Sequence, residues 1–338
     1  MNSERNERTV TNYSRQKDVL KIVVTDSTTE IARTFLYRVL SDNVFGENQS
    51  LSINLYEQPG RAAFLESVAI ELTSFGSNLL HEMNYGQDAS VQFKDVDVVV
   101  CIGFAREYCF KREEFTESFF KEYVRLSKSY GEVIDKYVKK NARIIVLGNT
   151  AATIISRYAK SISSKNITTL SLINLNVVTA QIAYRMRCFP TEVRNIIIWG
   201  SNGMYSFPDC RYVFFSNGST LTDNIKVWIR NDLPRIIQKF SSRPCNIRSI
   251  AYCLAEHCRI LWNGTPKNEW TSMGVLSDHS YGVRSGIFFS YPVFCKDKEY
   301  EIVQDLDNDE YIKKYIFDLS RLVAREAKFG LKVCGLTL

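Results

Sequence analysis

The stretch NIIIWGSNGMYSFPD, Asn195 to Asp209, breaks a β-branched apolar run into a polar loop that contains glycine. A loop set directly behind a buried strand is where a rigid scaffold commonly presents reactive side chains. This one offers Ser201, Asn202, Met204 and Tyr205. Their hydroxyls and amide can form hydrogen bonds, but none shuttles a proton near neutral pH. The chain's three histidines, His81, His257 and His279, all lie elsewhere in sequence. A second cluster, CLAEHC (Cys253 to Cys258), brings two thiols close to His257. Its spacing matches no common zinc pattern and no second ligand pair follows, while IRSIAYCLAEHCRILW has the apolar recurrence of a buried helix. No metal site is expected.

The elements that must carry these residues are legible from periodicity. LKIVVTD (Leu20 to Asp26) reads as a strand and TEIARTFLYRVL as a helix with apolar residues at Ile31, Phe35, Leu36 and Val39. LSINLYE (Leu51 to Glu57), DVDVVVCIGF, ARIIVLGN, TTLSLIN and NIIIWGS read as further strands, and an amphipathic helix is expected within 114–140. Apolar strands alternating with helices require a parallel sheet covered on both faces, hence a doubly wound fold. The second half reads as a helical block over 225–262, a β-rich stretch over 270–303 and a closing helix over 309–328.

With 338 residues, 45% of them hydrophobic and 24% charged, the chain can bury a core of one large or two medium domains. The N-terminus has no apolar h-region and no run is long enough to span a bilayer, so neither secretion nor a membrane is expected. Nine scattered cysteines, often inside apolar runs, fit reduced thiols and a cytoplasmic address. The net charge of +6 rests on dispersed Lys and Arg, which reads as a solvated surface and not a nucleic-acid groove.

Five stretches carry a specific likeness: SKSYGEVIDKYVKKNARIIVLGN, TAQIAYRM, VRNIIIWG, WNGTPKNEWTSMGVLSDHSYGV and FSYPVF. They resemble cytosolic malate dehydrogenases of the lactate/malate dehydrogenase superfamily, and the likeness runs from about Leu20 to the C-terminal helix. It implies an α/β chain with a polar tail over 1–19, a Rossmann-type NAD-binding domain over 20–172 and an α+β catalytic-type domain over 173–338. It also implies a homodimer, NAD as cofactor, and reversible oxidation of malate to oxaloacetate.

The same resemblance assigns positions for each chemical role. In VVTDSTTEIAR, Asp26 and Thr29 stand where the family has the glycines of its phosphate-binding turn. Ser27 and Glu30 have the spacing of a capping box that would satisfy the helix amides internally. Glu57 matches the acid that holds the adenosine ribose. Arg106 and Arg112 in AREYCFKR match the two arginines of the mobile substrate loop, and Asn149 matches a substrate-contacting asparagine, followed here by Thr150 in place of proline. Asn174 stands where the family has the aspartate that orients the catalytic histidine. Val177 takes the place of the arginine for the α-carboxylate, and Asn202 that of the histidine itself.

A positioned general acid/base contributes on the order of 10²- to 10⁴-fold, and two lost charge-assisted hydrogen bonds remove roughly as much again. The expected function is therefore a malate dehydrogenase-like pseudoenzyme whose fold serves binding or assembly, with NAD binding in doubt and a homodimer or another protein as partner. The apolar residues Phe119, Phe120, Tyr123, Val124 and Tyr137, in helical array, are a candidate interface, the alternative being that they pack on the sheet. The alternative is a dehydrogenase of weak or altered activity on malate or another 2-hydroxy acid.

Overall fold

A computed structural model describes residues 18–60, 62–103, 117–201, 205–241 and 247–338. Its N-terminal half holds the expected strands β1 (Leu20–Thr25), β2 (Leu51–Tyr56), β4 (Val98–Cys101), β5 (Arg143–Val146) and β6 (Ile167–Leu170). It adds β3 (Leu80–Gly86), a largely exposed polar strand at the sheet edge that apolar patterning does not announce. All six pair in parallel in the order β3-β2-β1-β4-β5-β6. That order places a topological switch point between β1 and β4, where open α/β sheets form a ligand crevice.

The helices of this half are α1 (Glu30–Ser41), α2 (Leu65–Ser74), the short α3 (Ala89–Gln92), α4 (Glu117–Tyr137) and α5 (Asn149–Tyr158). In α1 the residues at helical spacing, Ile31, Phe35, Leu36 and Val39, are all buried. Of the α4 residues read as a candidate interface or as sheet packing, three take the second role. Phe120, Tyr123 and Val124 are buried, and the Phe120 ring packs 5.2 Å from Phe329. These side chains serve the core because a helix covering a sheet must turn its apolar stripe inwards.

The sheet continues past β6. There β11 (Thr271–Leu276) pairs antiparallel with β6, Met273 opposite Leu170. It is followed by β12 (Phe288–Lys296), β8 (Ile197–Gly200) and β9 (Ser206–Asp209), with β13 (Glu299–Ile302) on the far side of β12. The two halves expected from the sequence thus share one sheet of eleven strands among the described residues. A separate pair joins β7 (Val193–Arg194) to β10 (Phe214–Phe215).

Covering the second half are α6 (Leu172–Met186), α7 (Asp223–Asn231), α8 (Leu233–Ser241), α9 (Ile247–Asn263) and α10 (Glu310–Val333). In TTLSLIN the strand ends at Leu170 and helix α6 opens at Leu172, so the last residues of that run are helical. Cys101, Cys210, Cys253, Cys258 and Cys295 are free and buried.

Phe35 is fully buried under the sheet, whereas Ile70 on α2 is 62% exposed. Urea unfolding should therefore find Phe35→Ala destabilised by about 3–5 kcal/mol and Ile70→Ala within about 0.5 kcal/mol of the parent.

Candidate functional site

The crevice at the switch point is built from the β1–α1 turn, the end of β2 and the residues after β4. Asp26 opens the turn with φ 51°, a left-handed conformation that a short polar side chain tolerates better than most. Its carbonyl accepts from the Thr29 amide at 3.1 Å and the Thr29 hydroxyl at 2.8 Å. Thr29 is also the N-cap of α1, its Oγ1 accepting from the Ala32 amide at 3.3 Å. The helix start is thus closed by the protein's own groups, but through Thr29 and not through the expected pair. Ser27 donates to the Val24 carbonyl at 2.7 Å, and Glu30 turns out toward Arg248 at 3.8 Å.

The Asp26 side chain is buried in the crevice. Its Oδ2 accepts the Tyr130 hydroxyl of α4 at 2.7 Å. A Cβ added at Gly103, two residues beyond β4, would stand 2.3 Å from the same oxygen, so glycine there makes room for the carboxylate. Burial, reinforced by the Asp26 charge, holds the Tyr130 phenol well above its ordinary range. It therefore remains a hydrogen-bond donor at neutral pH. Asp26 links three elements across the switch point.

Glu57 is fully buried beside this turn. Its Oε2 accepts from the Thr28 hydroxyl at 2.7 Å and the Thr28 amide at 3.2 Å, while Oε1 accepts from the Gln58 amide at 3.1 Å. The acid that the resemblance assigns to a ribose is thus bonded to the neighbouring loop. Two buried carboxylates and a capped helix start therefore border the crevice.

The second part of the site is the β8–β9 hairpin. Gly200 ends β8 with φ 104°, and a Cβ there would lie 2.1 Å from the Tyr205 carbonyl, so the tight closure requires glycine. The Ser201 amide donates to that carbonyl at 2.7 Å. Two of the sequence-assigned asparagines converge on this hairpin. Asn149 donates through Nδ2 to the carbonyls of Gly200 at 3.3 Å and Phe288 at 3.1 Å, and its Oδ1 accepts from Thr169 at 2.7 Å. Asn174, buried in α6, donates to the Ser206 hydroxyl at 2.8 Å. Val177 sits half-buried one turn further along α6. Asn202, Arg106 and Arg112 lie outside the described residues.

The histidines are held in other surroundings. His81 is on the edge strand β3. His279 is exposed and bonded to the Val283 carbonyl at 3.0 Å. His257 is fully buried in α9, its Nε2 bonded to the Thr168 hydroxyl at 2.8 Å. Burial pushes its imidazole down to about 3, so it is neutral and structural. Beside it, the Cys253 sulfur accepts from Asn176 at 3.3 Å, and burial pushes this thiol up to about 12. Among the described residues no group of three or more His, Cys, Asp or Glu is placed to hold a metal ion.

Tyr130 and Gly103 are the site residues that sequence reasoning missed. Nothing in the order of residues distinguishes Tyr130 from the other aromatics on the buried face of α4.

Asn149→Ala leaves two buried carbonyls and the Thr169 hydroxyl without their partner, and should cost at least about 2 kcal/mol in urea unfolding. For His257 the folded value lies below the unfolded one of about 6.5. Between the two, the unfolded state binds the extra proton, and stability falls as pH drops. By pH 5.0 the parent should have lost about 2 kcal/mol relative to pH 7.5 through this group, a loss that His257→Gln abolishes.

The profile of the lactate/malate dehydrogenase α/β C-terminal domain matches residues 168–319. The cytoplasmic malate dehydrogenase of Gallus gallus is 31% identical over 311 residues, which span 87% of this chain and 92% of that one. The Homo sapiens cytoplasmic malate dehydrogenase is 30% identical over 313 residues, with the same coverage. Among solved structures, the malate dehydrogenase of Naegleria fowleri superposes with a TM-score of 0.85 at 25% identity, covering 93% of this chain and 98% of that one. The Trichomonas vaginalis lactate dehydrogenase, solved in complex with NADH and oxamate, shares the fold with a TM-score of 0.83 at 18% identity, covering 94% and 99%. A Rossmann-ordered parallel sheet, an antiparallel extension bearing the β8–β9 hairpin, and identity sustained over nearly the whole chain lead to one conclusion: this protein belongs to the lactate/malate dehydrogenase family, among the malate dehydrogenases.

Proposed function

We propose that this member of the family is a pseudoenzyme: a malate dehydrogenase-like protein that does not turn over malate and whose fold serves binding or assembly. The observation that carries the reading is the buried Asp26 carboxylate, bonded to Tyr130 and packed on Gly103 across the switch point. Glu57 supports it, since its oxygens are engaged by Thr28 of the β1–α1 turn and by the Gln58 amide after β2. NAD is the cofactor that the family implies. Its nicotinamide would supply the hydride acceptor if the dinucleotide were held in this crevice.

The substrate side supports the same reading. Asn149 bridges β5–α5 to β8 and β12 through every hydrogen-bonding direction of its amide but one acceptor lone pair. Asn174 and Asn202 stand at the aspartate and histidine positions, and an Asn pair can orient a carbonyl but cannot exchange a proton with it. Val177 supplies no charge for a carboxylate. Arg106 and Arg112 keep the residue types of the substrate loop and would suit a dicarboxylate ligand bound without chemistry.

We further propose a cytoplasmic, homodimeric protein divided into units at about residue 172. No helix among the described residues is long and apolar enough to cross a membrane.

Oxaloacetate-dependent NADH oxidation by the purified chain should stay below about 1% of an active malate dehydrogenase, in keeping with loss of the acid/base pair. Asp26→Gly combined with Thr29→Gly should restore saturable NADH binding, read by nucleotide fluorescence, and still give no turnover. Robust turnover by the parent chain would overturn the proposal in favour of a dehydrogenase of altered specificity.

A further inference from the structure

On the antiparallel side of the molecule lies a cavity of about 710 Å³, between α7, β9 and the first turn of α10. Its size falls in the range of small-molecule pockets. Helix α7 has no fully buried residue, yet Leu221, Val227 and Ile229, at and before this helix, turn toward the cavity, and Val227 is 59% exposed. The opposite wall is aromatic. Phe207 stacks on Tyr315 with ring centroids 4.4 Å apart and meets Tyr311 edge-on at 6.2 Å.

The charges of the cavity are unequal in availability. At its floor Asp209 is neutralised by Arg211, whose Nε and Nη2 donate to the two carboxylate oxygens at 2.9 and 2.8 Å. Arg211 also donates to the Asp307 carbonyl at 2.7 Å and to Asn308 Oδ1 at 2.6 Å, so that guanidinium is largely engaged. Lys226 on α7 pairs with Asp223 at 3.0 Å. Arg230, one turn beyond Lys226, lies over the Tyr311 ring at 5.5 Å. Among the described residues no hydrogen bond or ion pair engages its guanidinium. A planar fork of donors therefore stands free beside an aromatic wall, the geometry that receives a carboxylate.

Asp309 also lines the cavity, where it caps α10 by accepting the Ile312 amide at 2.9 Å. A single free guanidinium beside one carboxylate suits a monoanion and disfavours a dianion. The apolar and aromatic walls suit a flat apolar body.

We propose that this cavity binds a small aromatic monocarboxylate, its ring between Val227 and the Phe207–Tyr311 wall and its carboxylate on Arg230. The site is separate from the β1–β4 crevice and does not depend on dehydrogenase turnover. It gives the chain a ligand that the lost chemistry does not require.

The test is calorimetric titration of the full-length protein with 2-naphthoate, with 2-naphthylmethanol and 2-naphthyl phosphate as the neutral and dianionic analogues. Saturable 1:1 binding of the naphthoate is expected, and Arg230→Gln should weaken it about tenfold or more, the loss of one charge-assisted hydrogen-bonded contact. The alcohol should bind more weakly and equally to parent and variant, and the phosphate more weakly than the carboxylate. Val227→Glu, on a helix without buried residues, should keep the parent's melting temperature while abolishing naphthoate binding. Absence of saturable binding by the parent chain, equal affinity for parent and Arg230→Gln, or tighter binding of the phosphate would each overturn the proposal.

Discussion

A carboxylate taken out of water must be paired or hydrogen-bonded, and the organisation of the crevice follows from how that demand is met for Asp26. Its partners come from separate elements: the left-handed turn after β1, the glycine after β4 and the phenol of Tyr130 on α4. Each adjustment depends on the others. Without glycine at position 103 the side chain would collide with the β4 loop, and without Tyr130 the buried oxygen would lose a donor that burial itself keeps protonated. Asp26 thereby ties the turn after β1 to helix α4 at the crevice.

The β8–β9 hairpin follows a related logic with neutral groups. Asn149 and Asn174 reach it from α5 and α6 and bond to Gly200 and Ser206 on its two strands. Asn149 also ties the hairpin's neighbour β12 to β6 through Phe288 and Thr169. Amides suit this work because they donate and accept at once and carry no charge whose burial would need a counter-ion. The antiparallel half keeps its architecture because β11, β12 and β8 are stitched into the sheet independently of any catalytic group.

Most of the fold was legible because buried strands and amphipathic helices write their periodicity into the sequence. Ile31, Phe35, Leu36 and Val39 on α1 and the valines of β4 are core residues as their spacing indicates. Strand β3 was not legible, since an edge strand with a largely exposed polar sequence has no apolar alternation to read. The aromatics of α4 were read as a possible interface because periodicity identifies an apolar face but not what covers it. The capping of α1 was misassigned by two residues, since Ser27 and Thr29 are both competent caps and the choice between them depends on the turn that Asp26 sets.

The amino-acid sequence by itself determined which chemical groups exist: Asn at positions 174 and 202, Val at 177, carboxylates at 26 and 57, and no histidine beside the β8–β9 turn. Residue identity alone decides what can accept a proton or a hydride partner, so those conclusions need no coordinates. Only the tertiary structure decided how the groups are used. It turned Glu57 onto Thr28, matched Asp26 with Tyr130 across 104 residues of sequence, and set Arg230 over the Tyr311 ring. Hydrogen bonding and burial depend on which distant segments the folded sheet brings within about 3 Å, and that distance is not written in the order of the residues.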